Sequence, residues 1–197
     1  MHVFTHVPKE YRKRCRTLSN AADVHCAGMQ QHDEDIGRLS SKLKEVGLNE
    51  NTIVIYSSDN GAEHSSWPDG ATTPYRGEKM TTWEGGVRVA MMVRWRDYIQ
   101  LGTELNGIQS HEDVLITLAS AAGVPDIRTR LGKGDALGTA VENKAYIDGV
   151  DNLPYWSGKT ADSVRHSVFV YEESSLRARH ITSGRWILAS AMATAAT

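Results

Sequence analysis

Apolar positions along the chain follow two periods, and each predicts an element. Between residues 29 and 46, Met29, Ile36, Leu39, Leu43 and Val46 recur at steps of seven, three, four and three. That spacing puts them on one face of an amphipathic helix. Gly47 is placed to end the helix in the left-handed conformation. Acidic Asp33, Glu34 and Asp35 fall toward its start and Lys42 and Lys44 toward its end, which suits the helix dipole. The β-branched run Ile53-Val54-Ile55-Tyr56 then predicts a buried strand. Helix followed by strand is one αβ step of a doubly wound sheet, with this strand central.

Further along, Val89, Met91, Val93 and Trp95 alternate within a second strand spanning Val87 to Trp95. Residues 110–122 read as a second helix. Ser110 and Asp113 form a capping box, Val114, Leu115, Leu118 and Ala122 face inward, and Gly123 closes it. Two short strands, Ser167–Tyr171 and Trp186–Ala189, predict a small antiparallel C-terminal sheet with a return between them. Val3, Phe4 and Val7 resemble the end of a strand stopped by Pro8. The segment 9–28 is charged and irregular and reads as a solvated loop or helix face. The last nine residues are low in complexity and are expected to fray.

Composition narrows the classes. The chain has 197 residues, 40% of them hydrophobic, and a formal charge of −2. It fits one domain or a piece of a larger one, with no field that draws nucleic acid or an anionic membrane. No apolar run is long enough to span a bilayer, and no signal peptide is seen at Met1. Cys15 and Cys26 are the only cysteines, too few for a disulfide scaffold. A zinc site of Cys15, His25, Cys26 and His32 lacks the tight ligand spacing that zinc sites use. The loop Ile147 to Pro154 lacks the regular carboxylate spacing of a calcium loop.

The chemistry concentrates between Ile53 and Val89. The strand stops at Ser57-Ser58 and Asp59-Asn60-Gly61 follows at once. Polar residues at the end of a buried strand face the crevice where open α/β sheets place ligands. Asp59 and Asn60 offer oxygen, which hard cations prefer. A Gly-rich loop then leads to Arg76-Gly77-Glu78-Lys79 and Trp83-Glu84-Gly85-Gly86-Val87-Arg88-Val89. Cations one loop after an acidic strand end suggest a bound anion beside a metal. Asn60-Gly61 is also a strong hairpin-turn signal on its own.

Taken together these pieces resemble the second half of a sulfatase catalytic domain, of the arylsulfatase type in the alkaline-phosphatase-like superfamily. The resemblance rests on Asn51 to Val54, Ser58-Asp59-Asn60-Gly61-Ala62-Glu63, Trp67-Pro68-Asp69-Gly70, Pro74-Tyr75-Arg76-Gly77-Glu78-Lys79 and Trp83 to Val89. It extends more weakly from Met1 to about Lys159. It implies an α/β fold with helices on the sheet faces, residues 1–160 belonging to the catalytic domain and 161–197 to a C-terminal hairpin region. It further implies sulfate ester hydrolysis with one Ca²⁺, on a small-molecule or glycan sulfate ester. By resemblance Asp59 and Asn60 are metal ligands, Lys79 clamps the sulfate, and His2 hydrogen-bonds it; His2 matches that place better than His6.

Sulfatases draw their nucleophile, a formylglycine, from a Cys/Ser-x-Pro-x-Arg motif. Neither cysteine fits it, and Thr72-Thr73-Pro74-Tyr75-Arg76 has the spacing without the residue. The family's first pair of metal-binding aspartates has no counterpart before His2. The resemblance therefore implies half a site, and these 197 residues alone are expected to be inactive. Two other readings stay open: a phosphatase or phosphodiesterase of the same superfamily, and a non-catalytic remnant.

Overall fold

The computed structural model describes residues 6–15, 20–63, 73–134, 144–172, 175–181 and 185–188. The apolar run at Val3 and Phe4, the Trp67–Gly70 motif and the tail after residue 188 lie outside the described residues. The chain divides into two compact units, residues 1–96 and 97–197.

In the first unit a short helix α1 (Lys9–Arg12) precedes a long one, α2 (Asn20–Glu45). The helix predicted over 29–46 begins nine residues earlier, inside the segment read as irregular. Its N-terminal half is the better covered, with Val24 and Ala27 buried. A disulfide between Cys15 and Cys26, Cα atoms 6.0 Å apart, staples the loop after α1 to α2. Closing a loop of this size removes about 3 kcal/mol of chain entropy from the unfolded state. The bond also uses both sulfurs of the zinc constellation. Tyr11 Oη and Arg14 Nη1 donate to the two oxygens of Glu34 at 2.6 and 2.5 Å, joining α1 to α2 a second time.

The predicted inward face of α2 is covered only in part. Ile36 and Leu43 are half-buried, whereas Met29, Leu39 and Val46 are exposed. Periodicity identifies a stripe, but burial needs a neighbour along its whole length, and among the described residues the stripe is covered only in part. Gly47 has φ +71° and ends the helix as its position predicted. A 3₁₀ turn, Asn49–Asn51, leads into strand β1 (Val54–Ser57).

β1 runs antiparallel to β2 (Met91–Arg94), with Val54 opposite Arg94 and Ser57 opposite Met91. All four β1 residues are half-buried rather than buried. The strand was expected at the centre of a sheet. Among the described residues it is paired along one edge only, and full burial needs cover on both edges and both faces. His32 of α2 meets it: the imidazole Nε2 lies 3.2 Å from Tyr56 Oη, with ring centroids 5.7 Å apart. The second predicted strand is shorter at its start than the alternation implied, because Glu84–Val87 forms a helical turn, α3.

The second unit holds helices α4 (Asp113–Ala121), α5 (Ile127–Lys133) and α6 (Leu153–Trp156), and a three-stranded antiparallel sheet. Its strands are β3 (Ser167–Glu172), β4 (Ser175–Ile181) and β5 (Arg185–Leu188). The return expected between two strands is thus itself the central strand. The inward face of α4 differs from the apolar one. Asp113, Ile116 and Thr117 are buried, while Leu115 and Ala122 are exposed.

A buried ion pair explains the rotation of α4. Asp113 is 2% exposed and receives Arg165 through Nε at 3.0 and 2.9 Å and Nη2 at 2.6 Å. Its oxygens also accept Ser110 N–H (2.9 Å), Val150 N–H (2.9 Å) and Asn152 Nδ2 (3.2 Å). The bond from Ser110 is the return half of the predicted capping box. Thr117 Oγ1 accepts Asn152 N–H at 3.0 Å, and Ser163 Oγ donates to the Ile108 carbonyl at 2.5 Å. In the loop considered for calcium, Asn152 is fully buried in this network and Asp151 caps α6 through Leu153 N–H at 2.8 Å. Buried polar groups persist only when partnered, and this set is.

Candidate active site

The site is built where β1 ends. Ser57 Oγ donates to the Ala90 carbonyl at 3.1 Å, tying the strand end to the segment before β2. Asp59 follows exposed and Asn60 half-buried. Gly61 N–H then donates to the Gly86 carbonyl at 2.9 Å. The approach is so close that a Cβ on Gly61 would lie 1.8 Å from the Gly85 oxygen. Only glycine permits such contact. The Asp-Asn-Gly turn is thus not a hairpin turn joining β1 to its partner; it docks on the Glu84-Gly85-Gly86 segment.

The loop carrying Lys79 is held against the same segment. Gly85 N–H donates to the Arg76 carbonyl at 2.8 Å, and Lys79 N–H to the Ala62 carbonyl at 2.8 Å. A Cβ on Gly85 would meet the Gly77 oxygen at 2.3 Å, and one on Gly86 the Glu78 oxygen at 2.4 Å. Three separate stretches are therefore joined backbone to backbone: 59–62, 76–79 and 84–86. This sets the Lys79 backbone two to three residues from Asp59 and Asn60 across a single hydrogen bond.

Lys79 lies within a tight turn that runs from Glu78 to Thr81. Thr81 N–H and Oγ1 both bond the Glu78 carbonyl, at 3.0 and 2.6 Å. Met80 in that turn has φ +68° and is 95% exposed. A left-handed non-glycine residue costs on the order of 1 kcal/mol. Here the flanking hydrogen bonds impose it. The Lys79 ammonium pairs with Glu63 at 3.3 Å, both side chains being partly exposed. Such a pair is worth at most about 1 kcal/mol. An ammonium has three donors, so Lys79 keeps capacity for an anion beside Glu63.

Aromatic rings carry the neighbouring cations. The Arg76 guanidinium lies 3.9 Å from the centroid of Trp83, and that of Arg88 4.4 Å from Tyr75. Arg88 is further paired with Glu84 at 2.5 Å. Asp59 and Asn60 supply the oxygen donors a hard cation takes. Among the described residues no group of three or more His, Cys, Asp or Glu could hold a metal. The pair therefore fits Ca²⁺ in ligand type and falls short in number. His2 lies outside the described residues. No helix among them is long and apolar enough to cross a membrane.

Of the sequence-derived site residues, the fold brings the Lys79 backbone to the segment following Asp59 and Asn60. Glu63 as the partner of Lys79 was missed as a role, since nothing local links residues sixteen apart. The stacks of Arg76 and Arg88 were missed for the same reason.

The family model described as Sulfatase matches residues 1–124. Human steryl-sulfatase is 30% identical over 161 residues, covering 79% of this chain and 25% of its own. Mouse N-acetylgalactosamine-6-sulfatase is 30% identical over 161 residues, covering 80% and 27%. The crystal structure of the PsFucS1 sulfatase from Pseudoalteromonas sp. superposes with a TM-score of 0.74 at 30% identity, over 92% of this chain and 33% of that one. The chain belongs to the sulfatase family and has the α/β, alkaline-phosphatase-like fold of its neighbours. It is a partial piece of the domain, spanning about a quarter of the length of the curated relatives it matches.

Proposed function

We propose that the chain is the sulfate-clamping part of a sulfuric-ester hydrolase. Lys79 binds the non-bridging oxygens of the sulfate and bridges toward the leaving oxygen, with His2 as a second donor. Asp59 and Asn60 contribute to one Ca²⁺, which when bound supplies positive charge for the same oxygens. The observation that supports this reading is the backbone stitch of Ala62 to Lys79 and of Gly61 to Gly86, which brings the backbone of Lys79 to the segment that follows Asp59 and Asn60. Two protein oxygens are few beside the six to eight ligands Ca²⁺ takes, so this chain binds the ion weakly. The substrate is a small-molecule or glycan sulfate ester, as the names of the steryl and sugar sulfatases among its relatives indicate.

The sequence contains no Cys/Ser-x-Pro-x-Arg motif, and so no residue for the covalent step. These residues alone bind sulfate without turning it over. Titration of the labelled chain with sodium sulfate and excess CaCl₂, followed by amide NMR, tests the clamp. Saturable shifts at residues 59–62 and 77–80, weakened at least about fivefold in Lys79→Ala, are expected, about 1 kcal/mol. Absence of saturable shifts, or identical shifts in the variant, refutes the assignment.

A further inference from the structure

Lys79 is held at both ends by two consecutive residues. Its N–H donates to the Ala62 carbonyl at 2.8 Å, and its Nζ donates to Oε2 of Glu63 at 3.3 Å. The segment that carries both partners is itself fixed, because the preceding Gly61 N–H donates to the Gly86 carbonyl at 2.9 Å. On the lysine side, Thr81 closes the turn. Its Oγ1 accepts the Glu78 N–H at 3.2 Å and donates to the Glu78 carbonyl at 2.6 Å. The root and the tip of one long side chain are thus tied to the same short segment.

Glu63 acts on Lys79 in two opposed ways. As a charge it works against a clamp, since a carboxylate beside an ammonium offsets part of its attraction for an anion and repels a sulfate dianion. As a tether it works for one. A lysine loses much rotamer freedom when its ammonium engages an anion, and a side chain already restrained loses less. The ammonium has three donors, so a bond to one carboxylate oxygen does not use it up.

The geometry favours the tether. Ion pairs at a surface contribute little largely because two long side chains must be ordered to make them. Here the Ala62–Lys79 backbone bond has already set the two chains in register, and the side chains are only 26% and 37% exposed for Glu63 and Lys79. Nothing in the packing of the two loops calls for the pair, since the backbone bonds alone join them.

We infer that Glu63 is a positioning residue of the sulfate clamp, holding the Lys79 ammonium where the anion meets it. The inference rests on the proposed role of Lys79. Glu63 acts through the lysine and not on the sulfate, so its removal weakens sulfate binding even though it removes a negative charge.

The test measures sulfate affinity of the purified chain by amide NMR, with sodium sulfate and CaCl₂ at constant ionic strength. Carbon relaxation at the Lys79 Cε methylene reports how well the lysine tip is ordered. Glu63→Ala binds sulfate about threefold more weakly, within what a partly exposed ion pair allows. Glu63→Gln keeps an oxygen acceptor at the same reach and loses the charge, so it binds at least as tightly as the wild type. Order at Lys79 Cε falls in Glu63→Ala and is kept in Glu63→Gln. In a Lys79→Ala background, Glu63→Ala changes nothing further. Amide spectra of the second unit establish that each variant is folded.

Sulfate binding by Glu63→Ala that equals or exceeds the wild type overturns the positioning role, and so does unchanged order at Lys79 Cε. A Gln variant as weak as the Ala variant overturns it too, as does a weakening that persists in the Lys79→Ala background. In each of these cases the clamp stands if Lys79→Ala itself weakens binding, and only Glu63 loses its role. If Lys79→Ala leaves the affinity unchanged, or the wild type binds no sulfate, the clamp fails and the positioning role with it.

Discussion

Gly61 and Gly85 are in contact through the main chain, so closely that the space for a Cβ on Gly61 is already taken by the Gly85 carbonyl oxygen. This contact turns two sequence motifs into one structural unit. The Asp-Asn-Gly turn can dock on the Glu-Gly-Gly segment only while position 61 has no side chain. Gly61→Ala must push two backbones apart, and overpacking of that kind costs about 1–3 kcal/mol. Chemical denaturation should show that loss, and amide shifts at Lys79 should move with it because Ala62 carries the Lys79 hydrogen bond. An unchanged midpoint and unchanged Lys79 shifts would show that the contact is not tight in solution.

Arg165 and Asp113 make the corresponding test for the second unit. Removing the guanidinium in Arg165→Leu leaves a carboxylate that is 2% exposed with its main partner gone. Breaking a buried pair on one side costs about 3–5 kcal/mol. Replacing both members, Asp113→Asn with Arg165→Leu, recovers part of the loss, since the uncompensated charge is gone. Denaturant midpoints for the single and double variants measure this directly. A single variant within about 0.5 kcal/mol of wild type, the range of ordinary surface changes, would contradict the network.

The link between α1 and α2 should depend on pH in acid. Hydrogen bonds from Tyr11 and then Arg14 hold the Glu34 carboxyl below its ordinary 4.5. A depressed folded-state value stabilises the fold above the unfolded value, and that contribution is lost as pH falls through the folded value. The hydrogen bond to Glu34 raises Tyr11 above its ordinary 10.0, so its contribution is lost as pH rises beyond that. Between those limits the link is complete. Carbon-detected NMR titration of Glu34 should give a midpoint below 4.5 that moves up in Tyr11→Phe; a midpoint at the ordinary value would contradict the contact.

The sequence singled out Asp59, Asn60 and Lys79 because the β-branched run at Ile53–Tyr56 stops abruptly and because the motifs that follow stand in one order; their proposed roles come from the family resemblance. Helix α2 was found from its apolar positions after Met29, but its start at Asn20 lies in a stretch where charged residues between 9 and 28 leave no apolar period to read. The face of α4 was misplaced because Leu115 looked like core and Thr117 did not. The choice was made by Arg165, more than fifty residues later in the chain. Glu63, Trp83 and the central strand β4 share that character. Their roles depend on partners that no local period encodes.

The central claim is that this chain holds a sulfate clamp without the residue that cleaves. A catalytic unit that lacks one member typically loses several orders of magnitude in rate. The most direct measurement is hydrolysis of a chromogenic aryl sulfate by the purified chain with excess Ca²⁺, beside Lys79→Ala. The account predicts that both proteins release product at the background rate. Turnover well above background that Lys79→Ala abolishes would contradict it, because it would require a complete catalytic site within these residues.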